Sequence, residues 1–435
     1  MLSWYKEADR KTRRVFWTCS AGWAMDSADG VVFSFLIPLL MASLSLTLTQ
    51  ATSIASANFF AAAIGGWLGG WLCDRFGRAR ILQITIAWFS FFAFLSGFAQ
   101  NYEQMLVIRV LQGLGFGAEW AVGAVLLGEM INPRHRGKAL GTVQSGAAIG
   151  TGLAAVLAGP FAAMFDPDLG WRIVFWIGIA PAILILFVRR ESDDSEVFKQ
   201  AAQRSREIGR RTGLGDIFRA RILPTTILAA LLSLGVQGAA YSISNFLTVF
   251  LTAERGLPMA TAGMCVLFNS AGGFFGFLTN AYISDRIGRR MVFRLFGIGF
   301  ILTAAFYLFA PLGSSVPALM AAGFIYGFFQ FGSYASFGPY FTELFPTEVR
   351  GTGQAFAYNF GRATSALFFT GVAMVAATGV VLSTAMAVFA IGGACCSILA
   401  TFLLPETAGR ALVGLDELDA SAPSKSIGAG AVTES

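Results

Sequence analysis

The sequence predicts an all-α integral membrane protein: twelve transmembrane helices in two pseudo-symmetric six-helix bundles, with both termini cytoplasmic. Three observations predict it. Hydrophobic residues make up 55% of the 435 and charged residues only 13%, with a mean hydropathy of +0.65, too apolar for a soluble chain of this length. Apolar runs of about 20 residues, the length that crosses a bilayer core about 30 Å thick, recur between short polar breaks. Motifs of the first half also return in the second at nearly constant spacing.

The spans are expected at 16–41, 54–73, 81–99, 103–130, 138–163, 172–189, 222–252, 259–283, 291–311, 316–343, 352–377 and 381–404. Lys6, Arg10, Lys11, Arg13 and Arg14 precede the first span, and every second loop after it is rich in Lys and Arg, so that 27 of the 31 basic residues fall on one side. That side is cytoplasmic by the positive-inside rule. The net charge of +6 is divided among short loops rather than gathered into one patch, which argues against a nucleic-acid partner. The charged N-terminus leads straight into a long span, which predicts no cleavable signal peptide. Cys19, Cys73, Cys265, Cys395 and Cys396 lie in or at the ends of spans with no CxxC or metal-ligand spacing, so neither a metal nor a cofactor is expected.

"GGWLCDRFGRAR" after span two and "NAYISDRIGRRM" after span eight place Asp74 and Asp285 in matching contexts, 211 residues apart. "GEMINPRHRG" and "TELFPTEVRG" align Glu129 with Glu343 and Arg136 with Arg350 at an offset of 214, and "RRES" against "LPET" aligns Glu191 with Glu406 at 215. The chain therefore reads as two homologous halves. The expected segments are an N-terminus (1–15), a first bundle (16–189), a charged cytoplasmic linker (190–221), a second bundle (222–404) and a cytoplasmic, disorder-prone tail (405–435).

Two such halves, with "DRFGR" and "DRIGR" at equivalent loops and "RVLQGLGFG" in span four, resemble the major facilitator superfamily over residues 10 to about 408. "GWAMDSADG", "GAEWAVGAVLLGEMINPRHRGKALGTVQSGAAIG" and "GWRIVFWIGIAPAIL" resemble its organic-anion proton symporters, the sialate and lactate permease-like group. The resemblance implies a monomeric secondary transporter in the cell (inner) membrane, with a small organic anion, protons and the lipid bilayer as its partners. It also implies that the loop motifs latch the cytoplasmic side by ion pairs between bundles. The residues that match are Asp74, Arg75, Gly77, Arg78, Glu129 and Arg136 in the first half and Asp285, Arg286, Arg289, Glu343 and Arg350 in the second. In "DRFGR" the glycine permits a tight turn and the arginines can equally anchor in lipid headgroups, so a role in topology alone also fits.

Few ionisable groups remain at membrane depth: Asp26 and Asp29 in span one, Arg109 and Glu119 in span four, Arg362 in span eleven. A charge at a helix centre costs roughly 2.5 to 3.5 kcal/mol, and the Leu, Ile, Phe and Val residues of span one offset only about 3 to 6 kcal/mol in all. Its carboxylates should therefore face the bundle interior or a wet cavity. At i and i+3 they share a helical face, where each disfavours ionisation of the other, a requirement for carrying a proton. A cap at the Gly30 break is the competing reading for Asp29. Arg109 can bind a substrate carboxylate in a bidentate pair or tune an acid of span one, the use the resemblance implies; Glu119, ten residues on, points about 80° away from it. Asp26, Asp29, Arg109 and Glu119 are thus the proton-coupling candidates.

Arg362 follows Tyr358 and Asn359 in "YNFGR" and is the expected anion-binding arginine. Gln112 shares a face with Arg109. Gln237, Tyr241 and Asn245 on span seven, and Gln330 and Tyr334 on span ten, recur at i, i+4 spacing; spans one, four, seven and ten line the cavity in the resembling family. Gln144, Asn58 and Trp120 complete the candidate substrate-binding set. The reading that results is proton-coupled uptake of a small organic anion such as a monocarboxylate, sialate or aromatic acid by alternating access, with a proton-coupled porter of neutral sugars or polyols as the alternative. Drug export lacks the glycines that the antiporter signature sets around "AGPFAA". An enzyme would need a nucleophile–base pair or a metal cluster, and the one histidine, His135, lies in a loop; a sensor would need a longer tail.

Overall fold

The computed structural model describes residues 3–180, 194–207 and 213–415, and its described elements are helices and turns without a strand. In the first half run α1 (Arg10–Ser43), α2 (Leu48–Phe76), α3 (Arg78–Ser96), α4 (Tyr102–Met130), α5 (Arg136–Val156) and α6 (Pro167–Ile177). In the second run α7 (Leu223–Ser244), α8 (Met259–Ile287), α9 (Arg289–Phe309), α10 (Val316–Gly332, continued after a 3-10 turn by Phe337–Leu344), α11 (Arg350–Ala377) and α12 (Leu382–Leu403). A short helix, Glu196–Glu207, lies between the halves.

Local chemistry sets many of the ends. Asp9 caps α1 by accepting the Thr12 N–H at 2.8 Å, and Thr47 with Gln50 closes a capping box on α2. The chain turns from α2 into α3 at Gly77 (φ 105°) and from α8 into α9 at Gly288 (φ 96°), backbone that a residue with a Cβ rarely adopts. These are the glycines of the repeated motif.

Among the described residues ten helices, α1 to α4 and α7 to α12, are long and apolar enough to cross a membrane by length and composition. The two remaining expected spans differ for separate reasons. Helix α5 carries "GTVQSGAAIGTG" and breaks into a π-helical turn at Leu157–Phe161, so it is more polar and shorter than an uninterrupted span. The described part of α6 ends at Ile177, and the rest of the expected span, with Glu191, lies outside the described residues.

Small residues bring helices together within each half. A Cβ on Gly65 would collide with the main chain at Leu114 and one on Gly117 with the Ala62 carbonyl, locking α2 to α4. Gly272 and Gly276 meet the Phe324 and Phe328 carbonyls in the same way, locking α8 to α10. Between the halves the contacts repeat the symmetry. On one side α2 meets α11, where Gly66 faces Asn359 and Gly70 faces Gly351 and Ala355; on the other α5 meets α8, where Gly141 faces Ala281.

Candidate functional site

The repeated loop motifs meet at the end of the molecule that carries the basic loops. Asp74 accepts the N–H groups of Gly351 (3.0 Å) and Thr352 (2.7 Å) and the Thr352 hydroxyl (2.7 Å) across the seam. Arg78 pairs with Asp74 at 3.1 Å and Glu129 at 3.4 Å and donates to the Thr347 carbonyl at 2.8 Å. Arg350, from the other half, reaches Glu129 at 2.7 Å.

The second motif repeats this arrangement. Asp285 accepts the N–H groups of Gly137 (2.8 Å) and Lys138 (2.9 Å). Arg289 pairs with Asp285 at 2.7 Å and Glu343 at 3.0 Å, and Arg136 crosses to Glu343 at 3.4 Å. All four of these arginines are buried. Arg75 and Arg286 are exposed instead, Arg75 lying over Trp71 and Phe76: of the two arginines in each motif, only the one four residues after the aspartate enters the latch.

Of two further parts of the latch, the sequence reading missed Asp194 and saw Glu406 only as a member of a repeat pair. Asp194 accepts the Ala79 N–H at 2.8 Å beside Gly77, and Glu406 accepts those of Arg289 (2.8 Å) and Arg290 (3.0 Å) beside Gly288. The residue equivalent to Glu406 is therefore Asp194, 212 positions earlier, which replaces the alignment with Glu191. The offset of 212 against the motif's 211 was the available signal.

At mid-depth the acids of α1 part company. Asp29 accepts from Arg109 (3.2 Å) and Gln112 (2.5 Å), and Arg109 also donates to Gln112 at 2.6 Å. The Asn58 amide donates to the Arg109 carbonyl at 2.6 Å. Asp26 is fully buried and accepts no hydrogen bond from any described residue. The two aspartates therefore differ in their partners: Arg109 and Gln112 hold Asp29, and no described residue donates to Asp26.

Trp120 forms the centre of the seam. Its ring stacks on Tyr358 of the other half, with centroids 3.8 Å apart and planes at 27°, and its N–H donates to Gln144 at 2.8 Å, which in turn donates to the Tyr334 carbonyl at 3.2 Å. Above this stack Arg362 projects from α11, its guanidinium 4.7 Å from the Phe116 ring and 5.7 Å from Phe59. No carboxylate pairs with it among the described residues.

Several expected ligand-facing amides are engaged elsewhere. Asn359 donates to Gly117 and Ala355 carbonyls, Gln237 to Ser233 and the Tyr358 carbonyl, and Gln330 to Ser244 and the Ala240 carbonyl. A buried amide satisfies itself on the nearest main chain, so these side chains tie helices together in this conformation. Asn245 is exposed and caps the Tyr241 carbonyl. Tyr241 and Tyr334 are half-buried, and their hydroxyls donate to no described residue.

Two helical bundles, latched at one end and enclosing buried charges at mid-depth, define a polytopic membrane transport protein. The chain belongs to the Major Facilitator Superfamily, whose family profile matches residues 18–370, and it is a transporter rather than an enzyme. It is 40% identical to a probable 4-methylmuconolactone transporter of Cupriavidus pinatubonensis, over 97% of each chain. It is 30% identical to the cis,cis-muconate transport protein of Acinetobacter baylyi (79% of this chain, 82% of that protein) and 26% identical to the sialic acid transporter NanX of Escherichia coli (82% and 86%). Among solved structures, the proton:xylose symporter XylE superposes with a TM-score of 0.74 at 18% identity, covering 94% of this chain and 99% of that one. FucP in the outward conformation gives 0.72 at 16% identity, covering 90% and 98%.

Proposed function

We propose that the protein takes up a small organic acid anion together with protons, by alternating access of its two bundles (16–189 and 222–404, joined by the linker 190–221). It works as a monomer spanning the inner membrane twelve times, with the basic end and both termini in the cytoplasm. The observation that carries this reading is Arg362, a mid-depth guanidinium between two phenyl rings with no carboxylate partner among the described residues. An unpaired cation at that depth is costly, and a substrate carboxylate offers a charge-assisted, bidentate partner. Relatives named for muconolactone, muconate and sialic acid transport favour the same substrate class. Tyr241 and Tyr334 supply hydroxyls beside the anion. The acids of α1 and α4, Asp26, Asp29 and Glu119, are the groups available to carry protons, and Arg109 orders them.

Uptake of labelled 4-methylmuconolactone, cis,cis-muconate, sialic acid, xylose and glucose into proteoliposomes tests this, with and without an inward proton gradient. Gradient-driven accumulation of an acid, lost in Arg362→Gln, is the expected result. Accumulation of a sugar alone, or acid uptake indifferent to the gradient, overturns the reading.

A further inference from the structure

The three acids near the centre are not equivalent. Asp29 is compensated: Arg109 and Gln112 donate to it, and 12% of its side chain reaches solvent. Asp26, one turn earlier, is 0% exposed and neither of its oxygens has a partner among the described residues. Glu119 is 1% exposed, with Oε2 also unpartnered. Its Oε1 lies against Gly22, where a Cβ would come within 2.5 Å. Gly22 is one helical turn from Asp26, so the two carboxyls share one groove between α1 and α4. A cavity of about 10 Å³ adjoins Glu119, walled by Cys19, Trp23, Trp120 and Gln144, the space of a single water.

The groups facing this pair make a short inventory. Helix α1 offers Cys19 and Asp29, and α11 offers Tyr358 and Arg362. Helix α5, packed along α1, has no titratable residue after Lys138, and α3 has none after Arg80. Arg109 is taken by Asp29. Arg362 is therefore the uncommitted cation that can balance the pair, and it stands on the other half.

An ionised carboxyl buried without a donor is far less stable than its neutral form, and two such groups in one groove repel when both are charged. Building on the anion-symport reading, we infer that the transported proton is held jointly by Asp26 and Glu119, and that the substrate carboxylate loads it by taking Arg362. The Asp29–Arg109 pair fixes the groove. While Arg362 is free it balances one carboxylate of the pair. Once the anion occupies Arg362 that balance is lost, and a proton from the bulk forms an O–H bond on the pair. Release of the anion reverses both steps. A monoanion thus travels with one proton and no net charge.

The test compares the parent with Asp26→Asn/Glu119→Gln, both nearly isosteric changes, and with Asp29→Asn, using labelled 4-methylmuconolactone in proteoliposomes. One coupled proton permits about tenfold accumulation per unit of pH gradient. The double variant is expected to equilibrate the acid without accumulating it, while Asp29→Asn, even if slower, still accumulates it. Infrared spectra of the purified proteins give a readout that needs no transport. A protonated-carboxyl band that titrates should be present in the parent and in Asp29→Asn and missing from the double variant.

Gradient-driven accumulation by the double variant, or survival of its titrating band, overturns the inference and leaves anion symport standing. Failure of the parent to accumulate any acid overturns the underlying reading instead.

Discussion

Replacing Asp74 with Asn perturbs the latch at the point where one side chain holds the opposite half. The carboxylate accepts two N–H groups at the start of α11 and the Thr352 hydroxyl. An amide keeps one acceptor oxygen and turns an NH2 group toward a second donor. The seam thus loses one charge-assisted hydrogen bond, about 1.5 to 3 kcal/mol. It also loses a negative charge at a helix N-terminus, about 0.3 to 1 kcal/mol. Together these are about 2 to 4 kcal/mol, which shifts the closed-to-open balance by about 30- to 900-fold.

Cys73 is a native reporter of that balance. It is fully buried against Gly351 of the other half, so a maleimide reaches it only when the seam parts. With Cys19, Cys265, Cys395 and Cys396 replaced by Ala, its labelling rate tracks the open fraction. Asp74→Asn should label at least about 30-fold faster than the parent. Arg75→Gln, in the same motif but exposed, should stay within about twofold. Equal rates for Asp74→Asn and the parent, or equal acceleration by Arg75→Gln, would show that the motif charges set topology and not closure.

Four further outcomes are expected. Arg362→Gln should weaken binding of an acid substrate by about 10- to 100-fold in an equilibrium binding assay, with Arg362→Lys intermediate because the charge remains and the fork is lost. Gly117→Ala should destabilise the protein by about 1 to 3 kcal/mol through overpacking, seen as a lower thermal midpoint in detergent. Gly152→Ala, where an added Cβ meets nothing within 4 Å, should be neutral or slightly stabilising. For Glu406, burial opposes ionisation, yet the N–H groups of Arg289, Ala408, Arg290 and Thr407 outweigh it and hold the carboxyl below its ordinary value of 4.5. A lowered value stabilises the folded state at neutral pH and loses that contribution as pH falls through 4.5 and below. The gap in melting temperature between parent and Glu406→Gln should therefore close on acidification.

The long apolar helices were legible because a run of about 20 apolar residues has few alternatives, and the latch because its motif occurs twice. The choice between Arg75 and Arg78 was not: both were expected in the latch, and it is the turn at Gly77, between α2 and α3, that brings Arg78 back to Asp74 while Arg75 stays outside. Partners across helices were another matter. Spacing within α1 places Asp26 and Asp29 on one side, but the rotation and depth of α4 decide that Arg109 takes one and Glu119 adjoins the other. The amides failed for a related reason. Gln237 and Gln330 fit a cavity-lining pattern, yet in an apolar interior each bonds to main chain that no sequence window displays. Helix α5 reads weakly because the glycines that let it pack against α1 and α8 lower its hydropathy.

The distribution of contacts says what alternation must overcome. Among the described residues, the hydrogen bonds that cross between the halves lie from the level of Asn359 to the basic end, and the Trp120–Tyr358 stack is their aromatic companion. Tyr358 is one turn from Arg362, so an anion held by Arg362 rests directly above the stack. Opening the basic end then requires parting two sets of buried ion pairs and this stack. Removing one member of a buried pair is far costlier than moving both into water together, and each half carries both signs of charge in its latch, so the halves can separate with internal pairs such as Arg78–Asp74 and Arg289–Asp285 intact. Arg362 has no such internal pair. Empty, it can be balanced only across the seam, by the acids of the other half; on the reading proposed above, a bound anion supplies the counter-charge directly, which makes the loaded carrier the one that changes face more readily.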